Sequence, residues 1–338
     1  MLMPETFQLK PLTLRGVTFD PPLFCAPMAN LTHSAWRRLM ADYGGCGAVF
    51  SEMLSARMML HEDVATSPWL KRRPGDGKIV YQLLVSDPGR LSTILERLAA
   101  IQPDGLDLNC ACGAPLITQR GGGAYLADDP DRLRAILRVM RQGFAGPLTV
   151  KIRLGRERDG WWDRLVERIR LMEGEGVDAV ILHPRFHEDK FRRRARHEVY
   201  GELAAVTRLP IIANGDISGL DYVTANAELF APVSGLMVGR LAAAQPWLFG
   251  RWKNPTLAVD PAELANRLCG YLADDFTPDK AMRRLKVWVP YFACNYVFGH
   301  TLFKAVQQAP DWERAVLCLQ SFLAANPERL DPISVSGL

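Results

Sequence analysis

Short apolar runs alternate with longer stretches in which apolar residues recur every three or four positions, and the alternation repeats along most of the chain. The short runs predict strands at 23–28, 48–53, 79–85, 106–111, 148–154, 179–183, 210–214 and 235–239. The longer ones predict helices at 34–43, 90–101, 131–142, 161–175 and 222–230. Within 161–175, Leu165, Ile169 and Met172 stand at helical spacing beside Arg164, Glu167 and Arg168, the pattern of an amphipathic surface helix. Strands joined by helical crossovers form a parallel sheet, and eight is the number that closes a (β/α)8 TIM barrel. An open doubly wound sheet shares this alternation and is the alternative fold. The alternation stops near Lys253, where Asn254-Pro255 and Asp260-Pro261 read as a linker followed by a helix start. Helices are predicted beyond it at 262–274, 279–297 and 312–325. The expected organisation is a barrel over 1–252 and a small all-helical domain over 253–338.

Composition narrows this picture without redirecting it. A chain of 338 residues suits a barrel of roughly 250 plus an appendage. No apolar run approaches about 18 residues, so no membrane span is expected. The first ten residues lack a charged start followed by an apolar run, so no signal peptide is expected. Seven scattered cysteines, an odd number, fit a reduced cytoplasmic protein better than a disulfide framework. Cys25, Cys46, Cys269, Cys294 and Cys318 lie among apolar neighbours and read as inert core thiols. Cys110 and Cys112 form a C-x-C without a second pair, so no metal site is expected. The net charge of +4 permits a polyanionic partner without requiring one.

Barrel active sites collect at the C-terminal ends of strands, and here those ends are polar. Lys151 stands alone in the apolar run Val150-Lys151-Ile152-Arg153-Leu154, where it either points into a site or snorkels to solvent. His183 ends an equally apolar run and is either a cofactor contact or a hydrogen-bonded core histidine. Gln82 reads as a site amide or a satisfied core amide. After the last two strands, Asn214-Gly215-Asp216 and Gly239-Arg240 put glycines and an arginine where this architecture binds phosphate through backbone N–H groups and charge-assisted bonds. The segment 185–197, after the sixth strand, is densely basic. It is either a solvated charged loop or, given its place, a phosphate-binding one.

Taken together, Ala26-Pro27-Met28, Gln82-Leu83, Asp107-Leu108-Asn109 followed by Cys112, Gly121-Gly122-Gly123-Ala124 with Asp129-Pro130, Val150-Lys151-Ile152-Arg153, His183-x-Arg185, Ile212-Ala213-Asn214-Gly215-Asp216 and Val238-Gly239-Arg240 resemble, in content and order, the tRNA-dihydrouridine synthase family. The likeness covers nearly all of residues 18–250, and the triple glycine is most similar to the bacterial C-type branch. It implies an FMN-binding barrel with a helical C-terminal domain that reduces the uracil C5–C6 double bond with electrons from NADPH. Position by position, it implies Pro27, Met28, Gln82, Lys151, His183, Asn214, Asp216, Gly239 and Arg240 around FMN. It implies Asn109 at the uracil, Arg153 and Arg185 at the substrate, and Cys112 as the acid. Two departures stand out: Ala111-Cys112-Gly113 replaces Gly-Cys-Pro, and His183-Pro184-Arg185-Phe186 replaces His-Gly-Arg-Thr. Pro184 removes a backbone donor at that point.

The chemistry this implies is hydride delivery to C6 and proton delivery to C5 from the opposite face. A thiol suits the second step, being largely protonated at neutral pH yet able to donate. The target uridine, in the D-loop of tRNA, would leave its stack to enter the pocket. Lys190, Arg192, Arg193 and Arg194 in the basic loop, with Arg283, Arg284 and Lys286 on a C-terminal helix, are expected to hold RNA backbone. No obligatory protein partner is evident and a monomer is expected. Two other readings fit less of the sequence. A dihydroorotate-dehydrogenase-like FMN barrel would not need the helical domain or the basic loop. A non-catalytic RNA-binding barrel would not need Cys112, Lys151 and His183.

Overall fold

The computed structural model describes residues 9–189 and 192–335. Its strands in chain order are β1 Leu12–Leu14, β2 Val17–Phe19, β3 Leu23–Cys25, β4 Ala48–Phe50, β5 Leu54–Ser55, β6 Ile79–Leu84, β7 Gly105–Cys110, β8 Leu148–Gly155, β9 Ala179–Phe186, β10 Ile211–Asn214 and β11 Gly235–Val238. Eight of them close on themselves in the order β3-β4-β6-β7-β8-β9-β10-β11, every neighbour pairing being parallel, with β11 returning to β3. The fold is the (β/α)8 TIM barrel, which excludes the open sheet.

Side-chain alternation sorts each strand into an outward apolar row beneath the helices and an inward row. The inward residues Phe24, Ala48, Phe50, Val80, Ala179, Ile181, Ile212 and Met237 fill the N-terminal half of the lumen. The β1–β2 hairpin closes that end by adding Leu12, Leu14 and Phe19 to the same cluster, Phe19 meeting Phe24 edge-on at 5.4 Å. The sequence reading missed this hairpin. Its strands have three residues each, and its only signal is Arg15-Gly16, both at positive φ as a tight hairpin turn requires.

Several boundaries differ from expectation for local reasons. The strand expected over 48–53 is interrupted because the Ser51 hydroxyl, rather than a backbone carbonyl, accepts from the Gln82 N–H at 3.0 Å. The strand expected to end at His183 continues to Phe186; it carries Pro184 because pairing with β10 has already ended at Leu182. The single helix expected over 222–230 is two, Leu220–Ala225 and Ala227–Phe230, broken where the Asn226 amide bonds the Tyr222 carbonyl at 2.8 Å.

After the helix Leu248–Lys253 come Pro261–Asp275, Pro278–Ala293, Gly299–Gln308 and Trp312–Ala324. The third was not expected, and the second ends four residues early, where the Asn295 amide turns back to the Phe292 and Ala244 carbonyls. Capping carboxylates start two of these helices: Asp260 accepts from the Ala262 N–H and Asp311 from the Arg314 N–H, both at 2.8 Å. The helical segment docks on the barrel through Asp275, whose buried carboxylate takes Ser34, Lys71 and Arg73. Trp288 Nε1 adds a bond to the Ala243 carbonyl at 3.0 Å. Among the described residues no helix is long and apolar enough to cross a membrane, and no cluster of His, Cys, Asp and Glu is suited to a metal ion.

Candidate active site

At the C-terminal ends of the barrel strands a cavity of about 1030 Å³ opens. Every residue expected around a cofactor lines it: Pro27, Met28, Gln82, Lys151, His183, Asn214, Asp216, Gly239 and Arg240. So do Asn109, Cys112, Arg153, Arg185, Arg192, Arg193 and Arg194. The reason is the inward row of the alternation. Two residues beyond each apolar layer position, Val80 gives way to Gln82, Ile181 to His183, Ile212 to Asn214 and Met237 to Gly239.

Lys151 is 8% exposed, and no described residue accepts a hydrogen bond from its amine. Burial lowers its pKa to about 8, Arg153 adding to the effect and Asp107 opposing it. His183 is buried with Nε2 at 2.9 Å from an Arg185 guanidinium nitrogen. A guanidinium only donates, so Nε2 accepts and the ring proton sits on Nδ1. Burial, then the charges of Lys151, Arg153, Arg185 and Arg240, hold the imidazole well below its usual pKa, so it is neutral.

Gly215 lies against that ring at φ +105°, where a Cβ would stand 2.4 Å from the imidazole Cδ2. His197 supports the turn from behind, its Nε2 2.9 Å from the Gly215 carbonyl. Asp216 is engaged within the protein. Its carboxylate accepts from Arg185 at 2.8 and 2.7 Å, from Arg240 at 3.2 Å and from the Ala195 N–H at 2.8 Å, binding the strand ends to the basic loop.

The two neighbouring cysteines separate. An extended strand end would let both face one side, but β7 stops at Cys110. Cys110 is 1% exposed in the outward apolar row, where burial pushes its thiol far up. Cys112 is half-buried in the following loop and lines the cavity. Two contacts hold that loop. Asn109 Oδ1 accepts from the N–H groups of Ala111 at 3.1 Å and Cys112 at 2.9 Å. The Cys112 carbonyl accepts from the Ala124 N–H at 2.9 Å, and Gly123, at φ +59°, lets the chains approach because a Cβ there would lie 2.5 Å from that carbonyl oxygen. Gly123, the last of the triple glycine, thus backs the cysteine loop.

The basic residues are less alike than their sequence suggests. Arg192 and Arg194 are exposed, whereas Arg193 pairs with Glu157 at 2.7 Å and Asp189 at 3.3 Å. Lys190 lies outside the described residues. Arg283, Arg284 and Lys286 do not line the cavity, and Arg284 stands about 100° around the helix from Arg283. Arg283 is exposed; Arg284 bonds Asn30 and lies over the Trp69 and Phe276 rings; Lys286 donates to the Ala309 carbonyl at 2.8 Å. The sequence reading also missed Tyr222, Tyr291 and the tail residues Ile333, Ser334 and Val335, all in the cavity wall. The Val335 carbonyl accepts from Arg240 at 3.3 Å. Nothing in the pattern of 331–335 announces this contact.

A sequence profile of the dihydrouridine synthase family (Dus) matches residues 24–294. A probable tRNA-dihydrouridine synthase of Helicobacter pylori (strain ATCC 700392 / 26695) is 28% identical over 238 residues, 69% of this chain and 70% of that one. The tRNA-dihydrouridine synthase B of Pasteurella multocida is 28% identical over 234 residues, 67% of each chain. A human tRNA-dihydrouridine(47) synthase [NAD(P)(+)]-like protein is 30% identical over 312 residues, 87% of this chain and 46% of that one. Among solved structures, a 2-naphthoyl-CoA reductase complex superposes with a TM-score of 0.56 at 11% identity, covering 73% of this chain and 52% of that one. The old yellow enzyme homologue of Zymomonas mobilis gives 0.51 at 12%, covering 76% and 95%. At such identities the likeness is one of fold.

Proposed function

The chain belongs to the dihydrouridine synthase family, and from that premise we propose that it is an FMN-dependent oxidoreductase that reduces the C5–C6 double bond of a D-loop uridine in tRNA, with NADPH as electron donor and Cys112 as proton donor. The observation that carries the reading is the meeting, in one cavity, of a buried lysine with no acceptor among the described residues, two glycine-lined strand ends and a half-buried thiol.

The residues present fit a flavin mononucleotide. Lys151 is a buried cation with no acceptor among the described residues, which suits an anionic or carbonyl-rich ligand. At Gly239 the space a Cβ would take is bounded by Ala26 Cβ at 3.4 Å and Met28 Sδ at 3.6 Å, so bare backbone faces the cavity there beside Arg240. Gln82, His183 and Asn214 would complete the cofactor's surroundings, His183 as a neutral Nδ1–H donor.

The chemistry such a group supplies when bound is hydride transfer, here to C6 of the uracil ring. Negative charge developing on the base would be met by Lys151 and Arg153, which line the cavity together with Asn109. C5 must receive a proton, and the Cys112 thiol stands at the cavity wall to give it. Arg192 and Arg194 at the rim, and the segment 253–338 through Arg283, would hold the RNA backbone.

The test is flavin content. Protein purified without added cofactor should absorb near the flavin maxima and release FMN on denaturation, and Arg240→Ala should come out with much less. Colourless wild-type protein that fails to take up FMN, or FAD in its place, contradicts the proposal.

A further inference from the structure

A row of polar side chains crosses three neighbouring strands beneath the cavity without opening onto it at its far end. Thr149 on β8, Asp107 on β7 and Gln82 on β6 are register partners, Thr149 opposite Asp107 and Asp107 opposite Gln82. Asp107 is fully buried, Thr149 nearly so, and neither lines the cavity. Thr149 Oγ1 donates to Asp107 Oδ1 at 2.6 Å, Gln82 Nε2 donates to Asp107 Oδ2 at 2.7 Å, and Asn109 Nδ2 donates to Gln82 Oε1 at 2.8 Å. Asn109 Oδ1 is left to accept from the Ala111 and Cys112 N–H groups.

The direction of every bond follows from one end. An ionised carboxylate can only accept, so Gln82 must turn its nitrogen to Asp107 and its oxygen to Asn109. Asn109 must then offer its nitrogen to Gln82 and its oxygen to the cysteine loop. Shape alone does not fix these amide orientations. Both Asp107 oxygens accept, from Thr149 and Gln82, as those of an ionised carboxylate do; burial raises its pKa to about 6, and Thr149, Gln82 and nearby Lys151 oppose the rise.

We infer that Asp107 is a positioning residue for the reaction: by setting the amide orientations of Gln82 and Asn109 it fixes the backbone of the Cys112 loop and hence the approach of the thiol to the base. The inference rests on Cys112 being the proton donor. Without an acceptor at 107 the Gln82 amide is free to turn over. Asn109 then meets either an opposing NH2 group or, if it turns too, sets its own NH2 against the two loop N–H donors.

The experiment uses flavin-loaded full-length protein in four forms: wild type, Asp107→Ala, Asp107→Asn, and Asp107→Asn with Thr149→Val. One readout is the rate of Cys112 alkylation by iodoacetamide without RNA, followed on the Cys112 peptide by mass spectrometry. The others are single-turnover rates of flavin reduction by NADPH and of uridine reduction. Asp107→Ala should speed alkylation several-fold and slow uridine reduction by up to about 10²-fold, the scale of a small misplacement of a reacting group. Flavin reduction should stay within a few-fold. Asp107→Asn should restore most of both readouts, because the Thr149 hydroxyl can accept from the new NH2 and leave the amide oxygen for Gln82. Adding Thr149→Val removes that orienting partner and should lose the recovery, a comparison that decides the matter even if Asp107→Ala does not fold. Wild-type alkylation and uridine reduction in Asp107→Ala overturn the inference. So does an Asn variant indistinguishable from the double variant, or flavin reduction falling in step with uridine reduction. If Cys112→Ala reduces uridine normally, the proton-donor reading fails, whereas the alkylation rates still report on the loop.

Discussion

The two halves of the barrel lumen are built from the same strands and obey opposite rules. In the N-terminal half the inward positions are Phe24, Phe50, Val80, Ile181, Ile212 and Met237, sealed by the hairpin residues Leu12, Leu14 and Phe19. Two residues further along, those rows carry Gln82, His183 and Asn214, and Lys151 stands two residues beyond the polar Thr149; all four are nearly as buried. The lower half gains stability from apolar area removed from water. The upper half gains nothing comparable: Lys151 has no acceptor among the described residues, and the charges of Lys151, Arg153, Arg185 and Arg240 all bear on His183. Buried charge of this kind opposes folding and persists where a ligand will meet it. The apolar plug therefore holds in shape a polar layer that would not hold itself.

The comparison can be broken most sharply at the cysteines, which straddle the division between packing and cavity. Cys112→Ala should lower uridine reduction by about 10²–10⁴-fold, the usual contribution of a general acid, while flavin binding and reduction by NADPH stay near wild type. Cys110→Ala, in the outward row, should remain within a few-fold. Rates of flavin reduction and dihydrouridine formation measured separately in both variants check this, and a severe loss in Cys110→Ala alone would reverse the assignment.

Next in size is a cut into the plug. Phe50→Ala should destabilise the fold by about 3–5 kcal/mol, since Phe50 is 1% exposed and packed edge-on to Phe24 at 6.0 Å. Urea unfolding of the flavin-free protein measures it.

Lys151→Met should do the reverse, stabilising flavin-free protein by about 1–3 kcal/mol at pH 7 while weakening flavin binding. The pH dependence carries the sign. A lysine lowered to about 8 on folding stabilises the fold above its unfolded pKa, and that contribution is lost as pH falls through about 8. Wild-type flavin-free protein should therefore gain stability between about pH 8 and 10 from this group, and Lys151→Met should lack that rise. Asp107 contributes oppositely. Its pKa is raised to about 6, so its share is present below about pH 4 and lost as pH rises through 6. Denaturant midpoints across pH 4–10 separate the two.

The smallest effect lies at the rim. Arg192→Gln and Arg194→Gln should each flatten the slope of log affinity for tRNA against log salt by roughly 0.7–0.9, if each neutralises one phosphate. Arg193→Gln should change it less, because Glu157 and Asp189 already hold that guanidinium. Equal slopes for all three would dissolve the distinction.

Both layers were legible in the sequence to the extent that they are periodic. The strands were found because alternation marks them, and the cavity residues because polar groups interrupt apolar rows at strand ends. The hairpin at Arg15-Gly16 escaped because three-residue strands carry too little pattern, and the helix Gly299–Gln308 because no capping residue opens it. Asp107 was visible as part of a motif but not as the anchor of a relay, since its partners Thr149 and Gln82 are joined by cross-strand register, which a linear reading does not contain. The contact of 333–335 with the cavity is likewise a product of tertiary packing.

The most direct test of the account supplies flavin-loaded protein with NADPH and an unmodified tRNA transcript without oxygen, and counts dihydrouridine by mass spectrometry against NADPH consumed. The account predicts one dihydrouridine for each NADPH oxidised, and none with Cys112→Ala over the same interval. NADPH consumption without dihydrouridine in the wild-type protein would contradict it.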